Sequence, residues 1–230
     1  MRVFAVVPAY EAAATVGPLV GELRRVWPAG DDIVVVDDGS SDGTGDVAAE
    51  AGAVVVRHQR NRGKGAALRT GLARAWQRGA THAVTLDADG QHPPAEARRL
   101  ATIEGADQAI VLGVRDLVAA GAPLANQRSN GISNFWLSRF TGQSLLDTQC
   151  GLRRYPLPDT LALGGQSLGF GYEAEIVLRA ARAGIPLMQQ PIRVVYPPDD
   201  ERRSHFRVVR DPARIVLRVL ATWAAAPRRR

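Results

Sequence analysis

The first half of the chain alternates short apolar runs with amphipathic stretches. Val3–Val7 is one such run, closed by Pro8. Ile33–Val36 is closed by Asp37-Asp38-Gly39-Ser40, and Val54–Val56 is a third run. Ala83–Leu86 is the fourth, closed by Asp87-Ala88-Asp89-Gly90. Unbroken apolar runs this short predict strands buried on both faces, as in a parallel sheet. Leu68, Leu72, Ala75 and Trp76 recur at helical spacing, with Arg69, Arg74 and Arg78 elsewhere on the wheel. Strand–helix–strand order with right-handed crossovers predicts a doubly wound α/β layer: a Rossmann-like, mostly parallel central sheet flanked by helices. Ligands of such sheets bind beyond the carboxyl ends of the strands. Tyr10, Glu11, Asp37, Asp38, Asp87 and Asp89 are therefore expected on one rim.

The second half is less regular. Ala109–Val114 and Gln149–Tyr155 read as strands, and Asn126–Phe140 as a helix carrying Ile132, Phe135, Trp136 and Leu137. Glu173–Ala183 reads as a helix stopped by Gly184, followed by a strand over Ile192–Tyr196. Asp211 and Pro212 suit the start of a last helix. Its Val216, Val219, Leu220 and Trp223 form an apolar stripe opposite Arg214 and Arg218, with Arg228-Arg229-Arg230 behind. Such a helix lies either in a bilayer interface or on the protein's own core.

Composition narrows the class. The chain has 230 residues, 46% hydrophobic and 23% charged, the balance of one soluble α/β domain. Its formal charge of +6 is carried by arginine, because Lys64 is the single lysine. Guanidinium forks suit phosphate oxygens, while GC-rich codon usage gives the same bias. The arginines are dispersed and lack an interleaved aromatic platform, which argues against nucleic acid. Cys150 stands alone, so no intrachain disulfide forms. No window of some eighteen apolar residues is present. A cytoplasmic protein is expected, at most peripheral on the inner face of the membrane.

Three segments carry chemistry. Asp87 and Asp89, two residues apart after a buried strand, can converge on one hard cation, with Gln91 as a neutral oxygen donor. An ordinary Asx turn has the same pattern. In Asp37-Asp38-Gly39-Ser40-Ser41-Asp42-Gly43-Thr44, an acidic strand end can accept a nucleobase imide N–H, and Asp42 and Thr44 suit helix capping. Counted from Asp38, an EF-hand would need a glutamate where Ala49 stands. Lys64, between Gly63 and Gly65, suits a phosphate cradle at a helix start. Gly65 occupies the Ser/Thr position of a Walker loop, and no G-x-G-x-x-G follows a strand.

Together with Val7-Pro8-Ala9-Tyr10, Asp147-Thr148-Gln149-Cys150-Gly151-Leu152-Arg153, Phe170-Gly171-Tyr172-Glu173-Ala174-Glu175 and Ser204-His205-Phe206, these segments resemble family 2 glycosyltransferases of the GT-A fold. The likeness is greatest to the dolichyl- and polyprenyl-phosphate sugar transferases. The resemblance implies a UDP- or GDP-sugar donor, a lipid-phosphate acceptor at a membrane surface, and Mg2+ or Mn2+ among Asp87, Asp89 and Gln91. Pro8, Tyr10 and Asp38 would line the nucleotide pocket, with Glu11, Asp37, Lys64 and Ala88 alongside. The family motif's glutamate is displaced by one position to Glu11. Arg115 and Arg128 would meet the acceptor phosphate, near Gln149 and Glu175. Arg203, Ser204 and His205 would close over the donor. The implied organisation is one catalytic domain over 1–210, with its nucleotide-sugar half at about 1–115 and its acceptor half at about 116–210. The helix and basic tail would occupy 211–230.

The implied reaction is a single inverting displacement in which Asp89, Arg203 and the cation stabilise the departing diphosphate. A phosphate acceptor is ionised near neutrality and needs no base; a hydroxyl acceptor would need one, for which Glu173 and Glu175 are candidates. Both glutamates also suit a helix N-terminus through the helix dipole. The competing readings are a transferase with a hydroxyl acceptor, a nucleotidyltransferase making a nucleotide sugar, and a non-catalytic membrane-associated scaffold.

Overall fold

The computed structural model describes residues 1–27 and 32–195. Its strands are β1 (Val3–Ala9), β2 (Ile33–Asp37), β3 (Val54–Arg57), β4 (His82–Thr85), β5 (Ile110–Arg115), β6 (Arg153–Pro156) and β7 (Leu187–Ile192). The helices are α1 (Ala13–Val26), α2 (Thr44–Glu50), α3 (Lys64–Gln77), α4 (Pro94–Ala101), α5 (Leu124–Thr141), α6 (Asp159–Ala162) and α7 (Gly171–Ala183). One sheet runs β3-β2-β1-β4-β6-β5-β7, with β6 antiparallel to both neighbours and the other pairings parallel.

The period-two alternation of a strand divides the apolar runs between two cores. Phe4, Val6, Val34 and Val36 meet Leu68 and Leu72 of α3 and Ile176 and Val177 of α7. Ala5, Val7, Ile33 and Val35 meet Val16, Leu19, Val20 and Leu23 of α1 and Ala97 and Leu100 of α4. Residues buried on both faces explain why β1 and β2 read as continuous apolar runs.

Several expected boundaries move. β1 continues through Pro8 to Ala9 instead of stopping at Val7. Even-numbered residues of β1 face β4, whose pairing ends at Val6–Thr85, so no ladder bond requires an N–H at position 8. β3 is an edge strand and half-buried, not covered on both faces. The stretch before Arg153 is a loop, and β6 is shorter than Gln149–Tyr155. β7 ends at Ile192, where a strand was expected to begin; its half-exposed Met188, Gln189 and Gln190 give no apolar run. Tyr196 and the expected helix over 211–230 lie outside the described residues. No described helix is long and apolar enough to cross a membrane.

β6 matters most for the site. Because it runs antiparallel between β4 and β5, the loop that leads into it arrives at the rim where β4 and β5 end. Residues 147–152 are thereby brought beside Asp87.

Helix α3 is drawn close to the sheet by Gly71. A β-carbon there would overlap Val6 Cγ1 and stand 3.1 Å from Val36 Cγ2. Gly71→Val is expected to cost about 1–3 kcal/mol through overpacking. Urea denaturation measures this, and an unchanged midpoint would contradict the packing described.

Candidate active site at the carboxyl rim

The parallel strands β1, β2 and β4 deliver Tyr10, Asp37 and Asp87 to one rim, as expected. Asp87 is the most constrained. Its Oδ1 lies 2.7 Å from Lys64 Nζ, and the same ammonium lies 3.1 Å from Glu173 Oε2. Arg153 Nε stands 4.0 Å behind Glu173 Oε1, completing a row of alternating charge. Gly151 packs directly on the Asp87 carboxylate: a β-carbon there would sit 2.7 Å from its Cγ and Oδ1. Thr85 Oγ1 donates to Gly151 O at 2.8 Å and fixes that approach. Burial alone would raise the Asp87 carboxyl, but the charges around it, Lys64 foremost and then His92 and Arg115, together hold the group below its usual range. Burial would lower Lys64, yet Asp87 and then Glu173 hold it above its usual range, so it stays charged.

Asp89 is exposed at the rim, and its Oδ1 accepts from Gln91 N at 3.0 Å. Desolvation by the rim, followed by the charge of Asp87, pushes Asp89 up to about 6. Asp89 is open to solvent, and a cation shared with Asp87 would reverse the repulsion between the two carboxylates. Ala88 turns its methyl into the core beneath α1 and α4, leaving its backbone to any ligand. Among the described residues no group of three His, Cys, Asp or Glu side chains converges. Two carboxylates on one turn, both ionised near neutrality, suit Mg2+ or Mn2+, which keeps water and substrate oxygens in its remaining positions. The donor set fits on those terms.

On the neighbouring strands the acidic residues are engaged internally. Asp37 Oδ1 accepts from Ser40 N at 2.9 Å. Asp38 is buried and accepts from Arg62 N at 3.0 Å and Gly63 N at 2.7 Å, and its Oδ1 lies 2.6 Å from His58 Nδ1. Asp38 therefore shapes the 58–63 loop. Glu11, at a φ of 50°, accepts from Ser41 N at 2.7 Å and braces the β2 loop. Gly43, not Asp42 or Thr44, takes the cap position of α2, and Thr44 is that helix's first residue. Asp42 Oδ1 accepts from Thr44 N, and the two side chains also hold the start of α1, where Ala13 N donates to Asp42 Oδ2 and Ala12 N to Thr44 Oγ1. The first turn of α3 is not an open phosphate cradle. Ala66 N donates to Leu168 O at 3.2 Å, and Gly63 and Gly65 have no side chain because the 167–169 backbone packs on them.

The acceptor-side candidates also divide. Arg115 pairs with Asp147 through Nε at 2.7 Å and Nη2 at 3.0 Å. Gln149 Nε2 donates to Ser129 Oγ at 2.9 Å, fastening the 147–151 loop to α5. Arg128 is exposed on that helix. Glu175 is fully buried and accepts from Ser167 N at 2.8 Å, Ser167 Oγ at 2.6 Å and Arg179 Nε at 2.9 Å. It organises the 166–167 loop and offers no open face to an acceptor. Arg203, Ser204 and His205 lie outside the described residues.

Residues 4–155 match the family described as glycosyl transferase family 2. The chain belongs to that family. This glycosyltransferase is 33% identical over 201 residues to the uncharacterized protein MJ1222 of Methanocaldococcus jannaschii, covering 85% of this chain and 82% of the other. It is 31% identical over 207 residues to the undecaprenyl-phosphate mannosyltransferase of Micrococcus luteus, covering 85% and 84%. In fold it is similar to the glucosyl-3-phosphoglycerate synthase of Mycobacterium tuberculosis, solved with Mn2+, uridine diphosphate and glucosyl-3-phosphoglycerate. That likeness has a TM-score of 0.73 at 17% identity and covers 98% of this chain and 81% of the other. The GT-A expectation holds.

Asp147, Gly151, Arg153 and His58 had no part in the sequence-based site. Arg153 is fully buried and donates to Thr148 O, Cys150 O and Glu173 O, which ties the transferase's rim loop to α7. For Asp147, Gly151 and Arg153 the signal was the Asp147–Arg153 segment itself, which entered the sequence reading as part of the family resemblance and not as the wall of the Asp87 site.

Two outcomes follow from this geometry. Gly151→Ala should displace the Asp87 carboxylate and weaken Mn2+ binding in the presence of UDP at least about tenfold with the fold retained. Calorimetric titration with far-UV circular dichroism checks this, and unchanged affinity would contradict the contact. His92 is buried, which pushes its imidazole down to about 4 from 6.5. The unfolded chain then binds the extra proton between those values, so stability is complete above about 6.5 and falls as pH drops toward 4. The loss is on the order of 3 kcal/mol relative to His92→Asn. Parallel pH profiles of the two unfolding curves would sink the assignment.

Proposed function

We propose that this glycosyltransferase moves a hexose from a UDP- or GDP-linked donor to a polyprenyl- or dolichyl-type phosphate, with inversion at the anomeric carbon. The observation that carries the reading is the placement of Asp87 and Asp89 just past the end of β4, two oxygen-donor side chains on one rim of a family 2 glycosyltransferase core. Asp87, Asp89 and Gln91 would hold Mg2+ or Mn2+. The ion would supply Lewis-acid stabilisation of charge growing on the diphosphate. Pro8, Tyr10, Asp37 and the Ala88 backbone would border the donor, with Glu11 and Asp38 shaping their loops and Lys64 balancing charge. Arg203, Ser204 and His205 would close over it. Residues 1–210 would form one catalytic domain, the donor bound in its first half and the acceptor in its second.

A phosphate acceptor is already a nucleophile near neutrality. Glu173 is held against Lys64 and close to Arg153, an arrangement suited to positioning more than to proton abstraction. Arg115 and Arg128 would attract the acceptor phosphate. The mannosyltransferase of Micrococcus luteus is named for an undecaprenyl-phosphate acceptor. The synthase of Mycobacterium tuberculosis is named for a small phosphorylated product. The outward face of α5 favours the lipid. Leu124, Ile132 and Phe135 are 67%, 52% and 64% exposed on the helix that carries Arg128. Apolar groups with arginine between them suit the headgroup boundary of a bilayer. In this proposal α5 would make a peripheral membrane contact, independently of residues 211–230.

The test is a transfer assay with a panel of UDP- and GDP-sugars, Mg2+ or Mn2+, and either a polyprenyl phosphate or 3-phosphoglycerate. Lipid-linked product is expected. Asp89→Asn should lower turnover by at least about a hundredfold, whereas Glu173→Gln should retain measurable transfer. Transfer to 3-phosphoglycerate alone, or a fully active Asp89→Asn, would overturn the reading.

A further inference from the structure

Lys64 occupies an unusual place for the chain's single lysine. Its ammonium stands 2.7 Å from Asp87 Oδ1 and 3.1 Å from Glu173 Oε2, with the Phe170 ring centre 5.7 Å away. The side chain is largely buried. The carboxylate that a divalent cation would need is thus already neutralised by a tethered cation of the protein's own.

Withdrawal of Lys64 is costly. Glu173 Oε1 is buried with no hydrogen-bond partner among the described residues, and its nearest cation, Arg153, is 4.0 Å away. Without Lys64, Oε2 would lose its ion-pair partner as well, and an unpaired buried carboxylate is strongly unfavourable. An arriving metal ion must therefore share Asp87 with the ammonium and meet its repulsion at close range. Lys64, Arg115 and Arg153 face Asp87, Asp89, Asp147 and Glu173, an excess of one negative charge. A bare dication would reverse that sign. A donor diphosphate, with about two negative charges at neutral pH, would restore it.

We infer that Lys64 makes the site reject a bare divalent cation and accept it together with a diphosphate. The inference rests on the cation site proposed above and adds that metal and nucleotide bind interdependently. By linkage, the factor by which nucleotide tightens metal equals the factor by which metal tightens nucleotide.

The experiment is a Mn2+ titration of the full chain followed by electron paramagnetic resonance, with and without UDP. For the unaltered protein, weak binding alone and at least about tenfold tighter binding with UDP are expected. Lys64→Met should tighten Mn2+ binding without UDP by about tenfold or more and shrink the UDP enhancement, whereas Lys64→Arg keeps the charge and the enhancement. Unchanged or weaker binding by a folded Lys64→Met overturns the inference. If Lys64→Met does not fold, Glu173→Gln decides. It strips negative charge and leaves Lys64 to Asp87, so bare Mn2+ should bind more weakly and UDP should help more. The opposite result overturns the inference. Equal Mn2+ affinity with and without UDP overturns it too, yet leaves the proposed cation site standing. No Mn2+ binding under either condition removes both.

Discussion

The carboxylate of Asp87 is the point at which the fold and the chemistry constrain each other. Four elements must meet there: the end of β4, the first residue of α3, the first turn of α7 and the loop into β6. Lys64 and Gly151 touch the carboxylate, and Glu173 holds Lys64 from behind. Buried charges are tolerable only when paired, so the row from Arg153 through Glu173 and Lys64 to Asp87 must be assembled as a unit. The antiparallel β6 is the topological device that makes this feasible. A further parallel strand there would have carried its leading loop to the opposite edge.

The central sheet was legible because its strands are buried on both faces. Val34, Val35 and Val36 cannot be mistaken for a surface strand, and the acidic turns after β2 and β4 mark where the chain leaves the core. The rim position of Asp87 and Asp89 followed from strand polarity alone. Helix α1 was legible in principle, since Val16, Leu19, Val20 and Leu23 keep helical spacing, but Gly17 and Pro18 disguise it. The edge strands β3 and β7 are half-exposed and give weaker patterns, so the bounds of β7 shifted.

What the sequence concealed was the direction of side chains in the second half. Helix α5 is built inside out. Ser129, Asn130 and Ser133 are buried, with Ser133 bonded to Thr148, while Ile132 and Phe135 face outward. Its apolar residues look like a core stripe until the polar 147–151 loop is placed on the other side. Asp38 looked open to a base and is instead spent on backbone N–H groups of the next loop. Glu175 looked like a site residue and is a buried clamp. Gly63, Gly65 and Gly151 are explained by close backbone or carboxylate approach across distant parts of the chain, which local spacing cannot reveal.

Membership of glycosyl transferase family 2 gives the class of reaction, and the rim geometry gives the place where it would occur. The proposed account stands on one cation bridging Asp87, Asp89 and a nucleotide diphosphate. A crystal structure with Mn2+ and UDP, with data collected at the manganese absorption edge, tests that bridge most directly. The expected result is a single anomalous peak within coordination distance of both carboxylates and the diphosphate oxygens. An ion bound elsewhere, or UDP seated on the rim with both aspartates free of metal, would contradict it.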